Sequence, residues 1–291
     1  MQTMRQTALL TLAIALALTG IASAGGQTSG QPSQPTGTSQ GAGRGPIQTK
    51  TPAEYQAYQA AIANAQNAQA MEKAADDFAA KFPDSAVRVL LYRSAMNAYQ
   101  NAGNPQKLMD VGLKVLDLDK DDPEALISVA EVLQEQTSPT DLDKDKRAKR
   151  AIDYAQHALE TVDTDLAVPS GTPNERVEAY KKTLRSSAFA IVGTLQYKQE
   201  QYADAESNLR KAIDADSANP DPVVVLRLAL ALDQQKKYAD ALQHANRAVE
   251  LTQESTDVGK MARNERDRLV TMTGGSPAPG SSPQTSNSSN H

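Results

Sequence analysis

The stretch "DLDKDDPEALIS", starting at Asp117, sets Asp117, Asp119 and Asp121 at alternate positions. That is how a calcium-binding loop opens. Such a loop needs Gly at its sixth position and Glu at its twelfth, and here those places hold Asp122 and Ser128. "DLDKDK" at 141–146 fails in the same way, with Lys146 in the glycine's place. The three histidines, His157, His244 and His291, have no HExxH spacing and no second ligand in reach. "GAGRGP" at 41–46 puts Pro46 where a dinucleotide loop needs its third glycine, and no strand pattern precedes it. With no Cys in the chain, thiolate zinc sites, disulfides and a cysteine nucleophile are excluded. No Walker or GxSxG motif occurs. Neither an enzyme nor a metal or other cofactor is expected, so the surface has to carry the function.

The composition says what kind of surface that is. The chain has 291 residues, no Trp, three Phe and nine Tyr, and it is rich in Ala, Leu, Gln, Glu, Lys and Arg. Those six residue types lose least on entering a helix. A sheet protein would need more β-branched and aromatic residues, so an all-α fold is expected. A formal charge of −5 and a pI near 5.3 argue against a nucleic-acid partner.

Arg5, the apolar run Ala8–Leu18 and the small-residue step Ala22-Ser23-Ala24 read as a signal peptide over 1–24, cleaved after Ala24. The apolar run is well short of the roughly 20 residues a membrane span needs. Export to the periplasm or medium is therefore expected, with no stable membrane span after cleavage. Residues 25–50 and 273–291 are rich in Gly, Ser, Thr, Gln and Pro without apolar periodicity, and read as disordered arms. The fold is expected in 51–272.

Helix starts there are well marked. "TPAE" at 51–54 and "TPNE" at 172–175 each offer Thr as N-cap, Pro in the first turn and Glu to reach back. Asp122-Pro123 and the "NPDP" at 219–222 mark further boundaries. "YADA" then occurs twice, at 202–205 and 238–241, each followed by a further Ala, Ala212 and Ala248. Recurrence near 34 residues is the mark of helix–turn–helix repeats.

In register these segments resemble the tetratricopeptide repeat family. The copy at 186–219 carries Phe189, Val192, Gly193, Tyr202, Ala205, Leu209 and Ala212 in the family's large and small positions. The copy at 222–255 carries Val225, Leu228, Ala229, Tyr238, Ala241, Ala245 and Ala248. Earlier copies start at 89, with Tyr92, Met96, Tyr99 and Val115, and at 123, with Leu126, Ala130, Ala151, Ala155 and Ala158. Small residues belong where two helices approach most closely, and the tyrosines fill the space beside that contact. The copy at 123–165 carries an insertion at 137–149, expected as a protruding loop. Residues 51–84 read as a divergent copy and 256–272 as a single capping helix. The resemblance implies a right-handed α-solenoid of about four to five hairpins.

It also implies a concave groove lined by the first helix of each hairpin. The inward positions are Arg93, Asn97 and Gln100, then Ile127, Glu131 and Gln134, then Thr194 and Tyr197. Leu230, with Arg227 beside it, continues the row. Arg93 and Asn97 resemble the first pair of the clamp that binds chaperone C-termini in this family, but Ser128, Ser187 and Ile191 break the rest of it. The expected function is a non-catalytic scaffold or adaptor of the bacterial periplasm or cell envelope, holding a peptide or helix of a protein partner. A self-associating structural protein and an accessory subunit of an enzyme complex are the alternatives.

Overall fold

The structure, a computed structural model, describes residues 47–274 apart from 64, 139 and 170. The expected signal peptide, most of the first arm, "GAGRGP" and nearly all of the tail lie outside the described residues. Among the described residues eleven helices follow one another: α1 Pro52–Ala63, α2 Ala68–Lys81, α3 Arg88–Asn101, α4 Pro105–Leu118, α5 Pro123–Glu135, α6 Lys144–Thr161, α7 Asn174–Lys198, α8 Tyr202–Ala215, α9 Pro222–Gln234, α10 Tyr238–Glu250 and α11 Asp257–Met272. Each packs on its predecessor, so α1–α10 form five antiparallel hairpins and α11 closes the row. The fold is an all-α repeat solenoid. Among the described residues the one β feature is an isolated parallel bridge between Ile47 and Pro169.

Local chemistry sets the helix ends. Thr51 Oγ1 accepts from Glu54 N at 3.1 Å, while the Glu54 carboxylate accepts from Lys50 N at 2.6 Å. Asp122 accepts from Ala125 N at 2.9 Å and Asp221 from Val223 N at 2.7 Å, each followed by a first-turn proline. The "TPNE" stretch behaves otherwise. Pro173 is the N-cap of α7, and the Thr172 hydroxyl turns back to donate to Pro169 O at 2.7 Å. The threonine closes the preceding turn and leaves the helix end uncapped by a side chain.

The turns inside three hairpins are built alike. Gly103, Glu200 and Lys236 have φ of 65°, 62° and 62°, and the next residue's N–H reaches five back, as in Asn104→Tyr99, Gln201→Gln196 and Lys237→Leu232. This is a left-handed helix ending with its six-to-one bond. It ends the first helix so that the second can fold back.

The alanines of the two "YADA" copies sit at the helix crossings: Ala205, Ala212, Ala241 and Ala248 are fully buried, and both tyrosines open their helices. Ala151 and Ala158 are buried likewise on α6. Gly193 marks the tightest crossing. A Cβ there would lie 2.8 Å from Leu209 Cγ and 3.1 Å from Leu209 N, so α7 and α8 touch backbone to side chain.

The insertion differs from expectation. Residues 144–149 belong to α6, and among the described residues of the insertion only 137, 138 and 140–143 lie outside a helix. Ala148 is buried one turn ahead of Ala151 and anchors the extra helix. Arg147 closes the loop by donating to Gln136 O and pairing with Asp141. Leu142 is fully exposed at its tip.

Candidate protein-binding face

First helices pack against first helices: α1 against α3, α5 against α7, and α7 against α9. The second helices pack mainly on the first helices to either side. A row of elements is closest on the inside of its curve, so the first helices line the inner face. The long helix α7 adds a second feature. It starts well before the repeat, and its Val177 and Tyr180 pack on the core of α5 and α6.

On the first half of the inner face most of the expected groove residues are bonded to neighbouring helices. Arg93 is 7% exposed and pairs with Glu124; its Nε is 3.7 Å from an Asp122 oxygen. Asn97 donates to Glu124 Oε1 at 2.8 Å, and Gln100 is 3.5 Å from Glu131 Oε2. Ile127 is buried. Gln134 gives its main-chain oxygen to Lys198 Nζ at 3.0 Å. These side chains tie α3, α5 and α7 together. Of the residues that the sequence suggested as lining an open groove, Arg93 and Ile127 are buried here and Asn97, Gln100, Glu131 and Gln134 are half-buried. The charge on Arg93 under low exposure needs a partner, and the neighbouring first helix supplies it.

The electrostatics follow from this packing. Packing around Glu131 pushes its carboxyl up to about 8, with the Glu135 and Asp221 carboxylates adding to the rise. Burial pushes the Tyr180 phenol up to about 12; Arg93 opposes the rise, and Asp122 and Glu131 reinforce it. Tyr58 of α1 is also raised by burial against the opposing pull of Arg93. Residues of α1, α3, α5 and α7 thus share one field.

What lies over them is a stretch of polypeptide. The connection from α6 to α7 brings Leu166 and Ala167, 5% and 1% exposed, onto the inner face. Arg93 Nη1 donates to Ala167 O. Ile47 N donates to Val168 O at 3.3 Å, which sets the chain before α1 beside this stretch. The sequence pattern marks 161–171 as a break in the repeats before the long helix, but nothing in it places that break against Arg93.

The second half of the face is more open. Thr194 is buried and accepts from Arg227 Nη1 at 2.8 Å. Tyr197 and Leu230 keep partial exposure on α7 and α9. Burial raises the Tyr197 phenol, and the nearby Tyr202 and Glu265 add to the rise. At the end, Arg268 of α11 spans to Asp233 of α9 at 2.5 Å and to Glu265 at 3.0 Å. Glu265 and Asp267 turn inward, so the charged side of α11 is partly buried, and Met261 and Met272 are exposed on it instead.

The acids and histidines singled out in the sequence are placed too. Asp121 pairs with His157 at 2.7 Å and with Lys120 at 3.1 Å, and Asp122 caps α5. Among the described residues no group of three His, Cys, Asp or Glu side chains is arranged to hold a metal ion. His244 lies half-buried 3.2 Å from Arg210, and burial, then the Arg210 charge, lower its pKa. A polar network outside the groove was not foreseen. Tyr99, Lys107 and Lys114 all bond Glu72, and against the opposing effect of burial they hold its carboxyl at about 2.

No protein-family model and no curated protein matches the chain. Solved structures do. YrrB, a TPR protein with an unusual peptide-binding site, is similar at 17% identity over 71% of this chain and 85% of its own, with a TM-score of 0.46. A tetratricopeptide repeat protein of Parabacteroides merdae is 13% identical over 76% of this chain and 73% of its own, with a TM-score of 0.49. TTC0263, a thermophilic TPR protein in Thermus thermophilus, is 12% identical over 73% of this chain and 98% of its own, with a TM-score of 0.44. The architecture rests on the chain's own helices, turns and buried alanines, and by these three likenesses the chain is similar to tetratricopeptide repeat proteins.

Proposed function

We propose that this chain is a non-catalytic scaffold or adaptor that binds a protein partner through the inner face of its solenoid. One observation carries the reading: that face already holds a stretch of polypeptide, Leu166–Pro169, with Arg93 of the first helix α3 donating to Ala167 O and Leu166 and Ala167 buried. A surface that receives main chain at one end and leaves Tyr197 and Leu230 accessible at the other suits a peptide or helix of a second protein. The segment over 1–24 supports a periplasmic or cell-envelope site of action.

In-cell crosslinking on the envelope fraction tests this. Crosslinks from Lys198 to one recurrent envelope protein, lost on Leu230→Asp, are the expected outcome. Self-crosslinks alone would replace the adaptor with a structural, self-associating protein. N-terminal sequencing of the purified protein checks export: a start at Gly25 is expected, and a start at Met1 in a soluble cytosolic fraction would end that part of the reading.

A further inference from the structure

The connection between α6 and α7 runs from 162 to 173, and its described residues form no helix. Helix–helix connections in compact folds are mostly 2–8 residues, and longer ones usually have work to do. Its middle, Leu166-Ala167-Val168-Pro169, carries no charged side chain; the first three residues lie outside any turn, and Pro169 opens the turn that Thr172 closes. Leu166 joins the core of α5–α7, and Ala167 joins the core of α2–α4. The hydrogen bonds that reach this middle from Arg93 and Ile47 end on main-chain carbonyls, Ala167 O and Val168 O. Contacts of that kind accept any extended chain whose side chains fit. On its flanks Asp163 and Thr164 are exposed, Asp163 pairing with Arg185 and Lys181, and Gly171 turns at φ 85° with open space around it.

We propose that Leu166–Pro169 is an internal occupant of a peptide site, and that a partner enters by laying an extended, uncharged segment in its place. The segment would be made of Leu, Ala, Val and similar residues, closed by Pro. The proposal rests on the scaffold reading above and names the partner's chemistry. Selectivity follows from the site: the Arg93 charge already stands between the Glu124 and Asp122 carboxylates, so the guanidinium supplies a donor to a carbonyl and has no spare charge for an acidic peptide. A tethered occupant competes at an effective concentration in the millimolar range. A free copy of the same segment therefore enters the wild-type site only near millimolar concentration, and much more tightly once the tethered copy is weakened.

The probe is a labelled synthetic peptide with the sequence of residues 163–170. Leu166→Ser with Val168→Ser and Pro169→Ser should bind it at least about tenfold more tightly than wild type, with helical circular dichroism unchanged. A folded triple variant that binds no better overturns the proposal. Should that variant fail to fold, a second pair decides. Ile47→Cys with Pro169→Cys, in a chain that otherwise has no Cys, can be closed by oxidation. The reduced form should lose hydrogen-exchange protection over 164–169 at millimolar peptide, and the oxidised form should not. Equal behaviour of the two forms overturns the proposal. Either failure with partner crosslinks from Lys198 intact leaves the adaptor reading standing, which separates the two.

Discussion

At the scale of single residues, the most constrained positions are those where size or charge has no slack. Ala205 and Ala241 have no exposed surface at helix crossings. Ala205→Leu or Ala241→Leu is expected to cost about 1–3 kcal/mol by overpacking, read by thermal or urea denaturation. Gly193→Ala should also destabilise, although Ala is the better helix former, because the new methyl meets Leu209 at 2.8 Å. Arg93→Ala should cost about 3–5 kcal/mol, since Glu124 and Asp122 would be left buried without their cation. Two carboxyls give opposite pH signatures. Glu131 has a folded pKa of about 8, above its unfolded value, so its contribution falls as pH rises from near 4.5 through 8. Glu131→Gln should be more stable than wild type at pH 8 and nearly equal to it at pH 5, read by urea denaturation at the two pH values. Glu72, held at about 2, contributes above its unfolded value and loses that contribution as pH falls from near 4.5 to 2. Glu72→Gln should therefore destabilise at pH 7 and converge on wild type at low pH.

At the scale of elements, the turn between the two helices of a hairpin repeats more faithfully than its sequence does. Gly103, Glu200 and Lys236 occupy the same left-handed place, yet only the first is the residue that favours it. Glu200→Gly and Lys236→Gly should each stabilise by a few tenths to about 1 kcal/mol, the relief of side-chain crowding exceeding the added unfolded-state entropy. A loss measured in both by urea denaturation would mean these side chains contribute contacts. The repeat motif was legible because each small residue answers to a local helix crossing. The turn residue was not, because helix–helix packing enforces the conformation whatever residue stands there. The start of α6 was hidden for a related reason: "DKDKRAK" is polar, and only Ala148 in the core shows that it is helix.

At the scale of the molecule, a solenoid's stability is approximately a sum over neighbours. α11 covers the last hairpin, with Ala262 packed among Val225, Leu226 and Ala248, and Leu269 with Leu232. Removing 257–274 should speed hydrogen exchange in α9 and α10 while leaving α3–α6 nearly unchanged. Equal acceleration throughout would mean the chain unfolds as one cooperative block. Concentration-dependent sedimentation decides whether the end bearing Met261 and Met272 pairs with another copy.

The sequence by itself determined the helices, their pairing and the small-residue crossings, because each depends on neighbours within about one repeat. It also determined that no recognisable catalytic motif is present. Only the tertiary structure decided what occupies the inner face. Arg93 looks like an open groove residue from its spacing, but its partners Glu124 and Ala167 lie 31 and 74 residues further along. A repeat pattern records contacts between adjacent helices and is silent on a connection that crosses several of them. That connection, Leu166–Pro169, is what Arg93 holds on the first half of the face.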